Sequence, residues 1–202
     1  MNIICFDMEG VFTPEIWVNV AKKTGVSELT RTTRDEPDYD KLMQFRIALL
    51  KKHGIRLSDI QEVIGSLELL PGAREFFDWV RSQTQAIIVT DSFVEFAMPF
   101  IRKLGNPLVL CHNLVVSSDG MITGYHLRQE DPKRQVVKAF QLLKYTVIAI
   151  GDSYNDMGMI QQADHSIFYR PPDNVIRDYP DYPVTRTYDE LKKRLSNMIG
   201  SE

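Results

Sequence analysis

Cysteine is nearly missing from this 202-residue sequence. Cys5 and Cys111 are the only two, too few and too isolated for a disulfide framework or a zinc site. That scarcity fits a reducing cytoplasm, and both residues read as small buried hydrophobes. Long hydrophobic runs are also lacking: no stretch approaches the roughly 20 apolar residues that a membrane-spanning helix needs. The start of the chain has no basic run, and Asp7 and Glu9 cut off the apolar stretch Ile3 to Phe6, so no signal peptide is expected. Neither sign of charge dominates, with 24 Lys+Arg against 27 Asp+Glu and a net charge of -3. No Lys/Arg stripe interleaved with aromatics appears either, which argues against a nucleic-acid partner. What is present, 44% hydrophobic and 25% charged residues, is the makeup of a globular protein and excludes disorder, collagen and coiled coil. The length predicts one domain, or one with a sizeable insertion. It fixes no oligomeric state and leaves a homodimer open.

Short apolar runs alternate with longer stretches of helical periodicity, the pattern of an α/β fold with a doubly wound, mostly parallel sheet. Four runs read as buried strands: Ile3 to Phe6, Ala86 to Thr90, Val147 to Ile150 and Ser166 to Tyr169. Leu108 to Cys111 is a shorter fifth. Two alternating stretches between Asn113 and Leu127 flank Ser118-Asp119-Gly120, whose Asp-Gly pair signals a β-hairpin. The interval from the first strand to the second, about 80 residues, is about twice what one crossover needs and must hold an insertion. Within it, Pro14 to Lys23, Tyr39 to Lys52 and Ser58 to Ser66 read as helices, and Leu70-Pro71-Gly72 punctuates before a crossover helix from Ala73 to Arg81. The expectation is a helical cap at residues 13–71, inserted into a core of residues 1–12 and 72–202. Tyr179-Pro180 to Pro183 reads as an ordered loop before a C-terminal helix from Tyr188.

In open α/β sheets a ligand sits at the carboxyl ends of the strands, and here those ends are strongly polar. The first strand ends in Asp7-Met8-Glu9-Gly10-Val11, the second in Thr90-Asp91-Ser92, and Val147 to Ile150 in Gly151-Asp152-Ser153-Tyr154-Asn155-Asp156. Lys133 lies in the loop or first helical turn before that last strand. Singly, an Asp after a strand reads as a turn former or helix cap. Together these residues gather carboxylates, a hydroxyl and an ammonium on one sheet edge, and so much negative charge asks for a cation. Hard oxygen donors with no Cys or His nearby point to Mg²⁺. His53, His112, His126 and His165 share no metal-ligand spacing and read as structural or exposed; Trp17 and Trp79 read as core.

The constellation resembles the haloacid dehalogenase superfamily of phosphoryl-transfer enzymes, matching its four motifs in order. The resemblance implies that Asp7 is the aspartyl nucleophile, Thr90 the phosphate-binding hydroxyl, Lys133 the third-motif lysine, and Asp152 with Asp156 the acidic fourth motif. Within the superfamily the chain is similar to phosphoserine phosphatases, and more narrowly to bifunctional members that also act as phosphoserine:homoserine phosphotransferases, enzymes of serine and threonine biosynthesis. Asp7-Met8-Glu9-Gly10-Val11, with Glu where most relatives have a second Asp, carries this, together with Pro14-Glu15-Ile16-Trp17, Arg46-Ile47-Ala48-Leu49-Leu50 and Asp131-Pro132-Lys133-Arg134-Gln135. Glu15 and Arg46 match the cap residues that hold the amino and carboxylate ends of the substrate. The resemblance further implies Mg²⁺ held by Asp7, Asp152 and the backbone carbonyl of Glu9, and substrates of small size: phosphoserine, with homoserine or water as acceptor.

On this reading Asp7 attacks phosphorus, giving an aspartyl phosphate that splits one hard displacement into two. Glu9, two residues on along the pleat, faces the same way and protonates the departing oxygen. Thr90, Asp91 and Ser92, with the backbone N–H groups there, hold the phosphate, and Lys133 balances its charge. Asn155 adds a hydrogen bond to phosphate or substrate, and Asp156 orients Lys133. The extra methylene of Glu9 moves its carboxylate by roughly 1–1.5 Å, enough to bear on which acceptor is activated. Two further readings are a phosphatase of another small phosphomonoester and a phospho-accepting receiver-like signalling module. A receiver would need its phosphorylated Asp after the third strand and no large early insertion.

Overall fold

The computed structural model describes residues 1–32, 35–36 and 38–200. Seven strands form one sheet: β1 (Asn2–Phe6), β2 (Gln85–Phe93), β3 (Val109–Val116), β4 (Ile122–His126), β5 (Thr146–Gly151), β6 (His165–Tyr169) and β7 (Val184–Thr185), in the order β4-β3-β2-β1-β5-β6-β7. All neighbours are parallel except β3 with β4. β1 is buried along its whole length, which is why it reads as a continuous apolar run rather than an alternating one. Its side chains still divide by the period of two: Ile4 and Phe6 join one apolar cluster, Ile3 and Cys5 the other. The chain builds outward from β1 on one side through β4, then resumes on the other side at β5. The carboxyl ends of β1 and β5 therefore flank the switch point where such sheets bind ligands.

The early insertion holds α1 (Ile16–Thr24), α2 (Tyr39–His53) and α3 (Leu57–Ser66), with a 3₁₀ turn at Ser27–Thr30. Its apolar residues Val20, Leu29, Met43, Leu50 and Ile60 belong to the same cluster as Phe6 and Phe76, so these helices are bound to the sheet by shared packing. At its base, Leu70 N–H donates to the Phe12 carbonyl at 2.9 Å. Away from the sheet end, Leu57 N–H donates to Gly120 O and Gln61 to Glu95 O, while Tyr125 hydroxyl bonds the Asp40 carboxylate. The remaining helices are α4 (Ala73–Gln83), α5 (Val94–Lys103), α6 (Pro132–Leu142), α7 (Met157–Gln162), α8 (Asp173–Asp178) and α9 (Tyr188–Ile199).

Several sequence expectations shift. The strand expected at Leu108–Cys111 and the first arm of the hairpin are one strand, β3, because Pro107 breaks only its start and not its middle. β2 runs three residues past Thr90, through a register shift between Val89 and Phe93. β7, two residues between prolines and a helix, gives no readable period. The first helix after β1 starts at Ile16 rather than Pro14. Cys111 is only partly buried, because β3 lies toward the sheet edge.

Candidate active site

Asp7 follows β1 directly, its N–H donating to Ile150 O on β5 at 2.8 Å. Its carboxylate is 4% exposed and accepts from Lys133 Nζ at 2.9 Å. Lys133 is the second residue of α6, placed there by Pro132 at the first helical position and by Asp131 in a left-handed conformation. It is therefore helical rather than in a loop. The same ammonium lies 2.6 Å from Asp156 and 3.4 Å from Asp91. Asp156 is fully buried; its other oxygen accepts from the N–H groups of Asp152 and Ser153. That makes it the anchor of the turn carrying Asp152, in contact with Lys133, the residue that the sequence expects it to orient.

Close approach here demands glycine. Gly10 has φ +78°, and a Cβ on it would collide with the Asp152 carboxylate; a Cβ on Gly151 would collide with Asp156. Carboxylate oxygens of Asp7, Asp152 and Asp156 lie within 4.8 Å of one another. Burial, then Asp156 and Asp152, push the Asp7 pKa well above the carboxylate range against the pull of Lys133. Burial and Asp156 likewise raise Asp152 to about 7. Burial opposes the Lys133 ammonium, but Asp156, Asp7 and Asp91 outweigh it and hold its pKa well above normal. One ammonium does not balance this cluster. Oxygen donors alone, in excess negative charge, fit a hard divalent cation.

Glu9 departs from its expectation. The chain leaves the strand at Phe6, so no pleat orients Glu9; instead its carboxylate accepts from Ile16 N–H at 2.8 Å, satisfying an orphan donor of α1. Glu9 and Asp7 nonetheless line one cavity of about 280 Å³. Burial, with Glu15 adding repulsion, pushes the Glu9 pKa up to about 7.

Glu15, Arg46, Thr90, Asp91, Ser92, Asp152 and Asn155 line the same cavity. Arg46 is 7% exposed. One of its terminal nitrogens donates to Arg31 O at 2.8 Å, its guanidinium lies 4.5 Å from the Trp17 ring centre, and its Nε is buried without a partner among the described residues. Burial lowers its pKa to about 10. Trp17 is thus a cavity wall and stacking surface rather than plain core. Thr90 hydroxyl accepts from Ser92 N–H at 3.2 Å, and the shift in β2 register falls at these residues, a bulge that re-aims side chains. Asn155 donates to Asp91 at 3.0 Å, and Tyr39 hydroxyl donates to Asp91 O at 3.1 Å. Tyr39 is a residue that sequence reasoning passed over, and His112, read there as structural or exposed, is another that it did not bring to this region. His112 is 2% exposed and its Nε2 is 3.9 Å from Asp91. It shares the inward face of β3 with Leu114, a period-two signal that marks a histidine turned inward.

Residues 1–164 match the family described as haloacid dehalogenase-like hydrolase. A phosphoserine phosphatase of Pseudomonas syringae pv. tomato is 51% identical over 202 residues, 100% of this chain and 85% of the relative. The phosphoserine phosphatase ThrH of Pseudomonas aeruginosa is 51% identical over 193 residues, 96% of this chain and 94% of the relative. A solved phospho-aspartyl intermediate analogue of phosphoserine phosphatase superposes with a TM-score of 0.79 at 20% identity, covering 96% of this chain and 98% of that one, a likeness of fold. With the strand-end carboxylates, the buried lysine and these full-length matches together, the chain belongs to the haloacid dehalogenase-like hydrolases, in the phosphoserine phosphatase family.

Proposed function

We propose that this chain moves the phosphoryl group of phosphoserine onto Asp7 and from there to water or homoserine, with Mg²⁺ as cofactor. One observation carries the reading: a nucleophile paired with a buried lysine shares a cavity with an arginine that has an unsatisfied buried donor. An uncompensated Nε–H costs about 1–3 kcal/mol, so a carboxylate acceptor arriving there relieves it, and a guanidinium meets a carboxylate two bonds at a time. Glu15, exposed at the cavity lip, offers a charge for the ammonium end. These positions suit a zwitterion whose phosphate reaches Asp7.

Asp7 would attack phosphorus in line as the bond to the serine oxygen breaks. Glu9, with its pKa near neutrality, donates the proton that this oxygen needs and takes one back from the next nucleophile. Lys133, with Thr90, Ser92 and Asn155, meets the phosphate oxygens, and the charges on Lys133 and Asp156 keep Asp7 aimed. Asp7, Asp152 and the Glu9 carbonyl would hold Mg²⁺, which when bound supplies the positive charge that the acidic cluster lacks. The cap at residues 13–71, on a core of 1–12 and 72–202, is part of this reading, supported by the Leu70–Phe12 bond at its base; it shields the phosphoenzyme from stray water. A cytoplasmic setting rests on the two free cysteines.

A phosphorus NMR time course with phosphoserine and Mg²⁺, with and without homoserine, tests it. A new phosphomonoester resonance only with homoserine is the expected result. Inorganic phosphate alone in both samples would make the protein a plain phosphatase; no change in either would refute the substrate.

A further inference from the structure

Behind the site lies a second, larger cavity of about 600 Å³. Tyr39, Asp91, Tyr154 and Asn155 line both cavities, so the Asn155–Asp91 hydrogen bond stands in a shared wall. His112, Leu127 and Asn174 face only the second one of the two. Neither Asp7 nor Glu9 lines it, but Lys133 does; that ammonium is already matched by the carboxylates of Asp156, Asp7 and Asp91 at 2.6, 2.9 and 3.4 Å. An acceptor must approach phosphorus opposite Asp7, so this space is not the seat of the attacking alcohol.

His112 supplies the clue to what belongs there. Its Nδ1 accepts from the backbone N–H of Arg128 at 3.1 Å. A backbone N–H can only donate, so that nitrogen is unprotonated and the neutral ring carries its proton on Nε2. Burial keeps the ring neutral by lowering its pKa. The Nε2–H makes no hydrogen bond among the described residues; Asp91 Oδ1, at 3.9 Å, is beyond bonding distance. Asp91 Oδ2 is taken by Asn155 and approached by Lys133, whereas Oδ1 has no hydrogen-bond donor among the described residues. The lining therefore presents an unpartnered donor, on a histidine that is 2% exposed, beside an unpartnered carboxylate oxygen, together with two tyrosines and Leu127. A bare anion such as phosphate would meet Asp91 as a repelling charge. An ammonium is attracted both by the carboxylate and by aromatic faces.

We propose that this second cavity binds a small primary-ammonium compound with a neighbouring hydroxyl or carboxylate oxygen, the ammonium on Asp91 Oδ1 and the oxygen on His112 Nε2–H. It is distinct from the seat in front of Asp7 and takes from the proposed function only that Arg46 serves that other seat. Since Asp91 also touches Lys133 and Asn155, an occupant communicates directly with the phosphoryl site.

Calorimetric titration with 2-aminoethanol tests this, because a ligand without a carboxylate makes no use of Arg46. Wild type and Arg46→Ala are expected to bind it equally, 1-propanol not at all. Leu127→Trp, at a residue 46% exposed, should fill the cavity and weaken binding at least about tenfold; His112→Phe should do so too, by removing the donor. In parallel, the side-chain amide resonances of Asn155 and Asn174 should shift with 2-aminoethanol and not with 1-propanol. Absence of binding to wild type, equal binding by both cavity variants, or loss in Arg46→Ala would each overturn the proposal. Phosphoserine turnover on the same preparations reports on the proposed function separately: a wild type that binds 2-aminoethanol in this pattern yet leaves phosphoserine untouched would sink that reading and keep this one.

Discussion

The strand-end cluster and the cap face opposite it are built on opposite terms. In the cluster, Asp7, Lys133 and Asp156 are all buried and joined at 2.6–2.9 Å, so its geometry is complete before any ligand arrives. On the face opposite, Arg46 rests on the Arg31 carbonyl, the Met43 sulfur and the Trp17 ring, and keeps a buried donor without a partner among the described residues; Glu15 stands exposed. On the proposed function, chemistry that must be aimed within tenths of an ångström is held rigid by charge, while recognition is left unsatisfied until substrate completes it.

The largest effect should come from Asp7→Asn, which removes the proposed nucleophile while keeping the shape: phosphoserine turnover should fall about 10⁴-fold or more. The same variant should melt higher than wild type in metal-free buffer, because a carboxylate whose pKa is raised in the fold opposes folding when ionised. Lys133→Ala should do the reverse to stability. It strands Asp7 and Asp156 without a counter-charge and should cost about 3–5 kcal/mol in a denaturant titration. Equal signs for the two variants would break the contrast.

On the cap face, Arg46→Lys keeps the charge but loses the planar fork. KM for phosphoserine should rise about 10- to 100-fold with kcat nearly unchanged, the mark of lost binding rather than lost chemistry; a fall in kcat alone would place Arg46 with the rigid cluster. Glu9 sits between the regions. Its folded pKa of about 7 exceeds the unfolded value of about 4.3, so its contribution to stability is fully present at low pH and is lost as pH rises from there through 7. Glu9→Gln in metal-free buffer should flatten that slope in pH-dependent melts. The smallest effect belongs to Tyr125→Phe, which cuts the Asp40 tie behind the cap and should change unfolding free energy by about 1 kcal/mol or less.

Most of the cluster was readable because strand-end position is encoded locally: an apolar run followed by Asp7, by Thr90 or by Asp152 places each residue on the same edge. The three helices between β1 and α4 were readable from their periodicity and the length of the interval. The rest depended on encounters that no local pattern records. Asp91 reads as one more phosphate-loop residue, but a shift in β2 register turns it toward Asn155 and Lys133. His112 has no motif around it, and its tautomer is set by Arg128, sixteen residues on. Glu9 reads as a neighbour of Asp7, yet its carboxylate caps a helix of the insertion.

The sequence by itself determined the central strands of the sheet, the order of its motifs and the residue types at its reactive edge, since periodicity, turn chemistry and spacing are properties of short segments. Tertiary structure alone decided which charges meet, which donors stay idle and that two cavities share one wall. Those depend on distances between segments more than a hundred residues apart, as between Asp7 and Lys133 or Asp7 and Asp156, and on how burial reprices each charge once they meet.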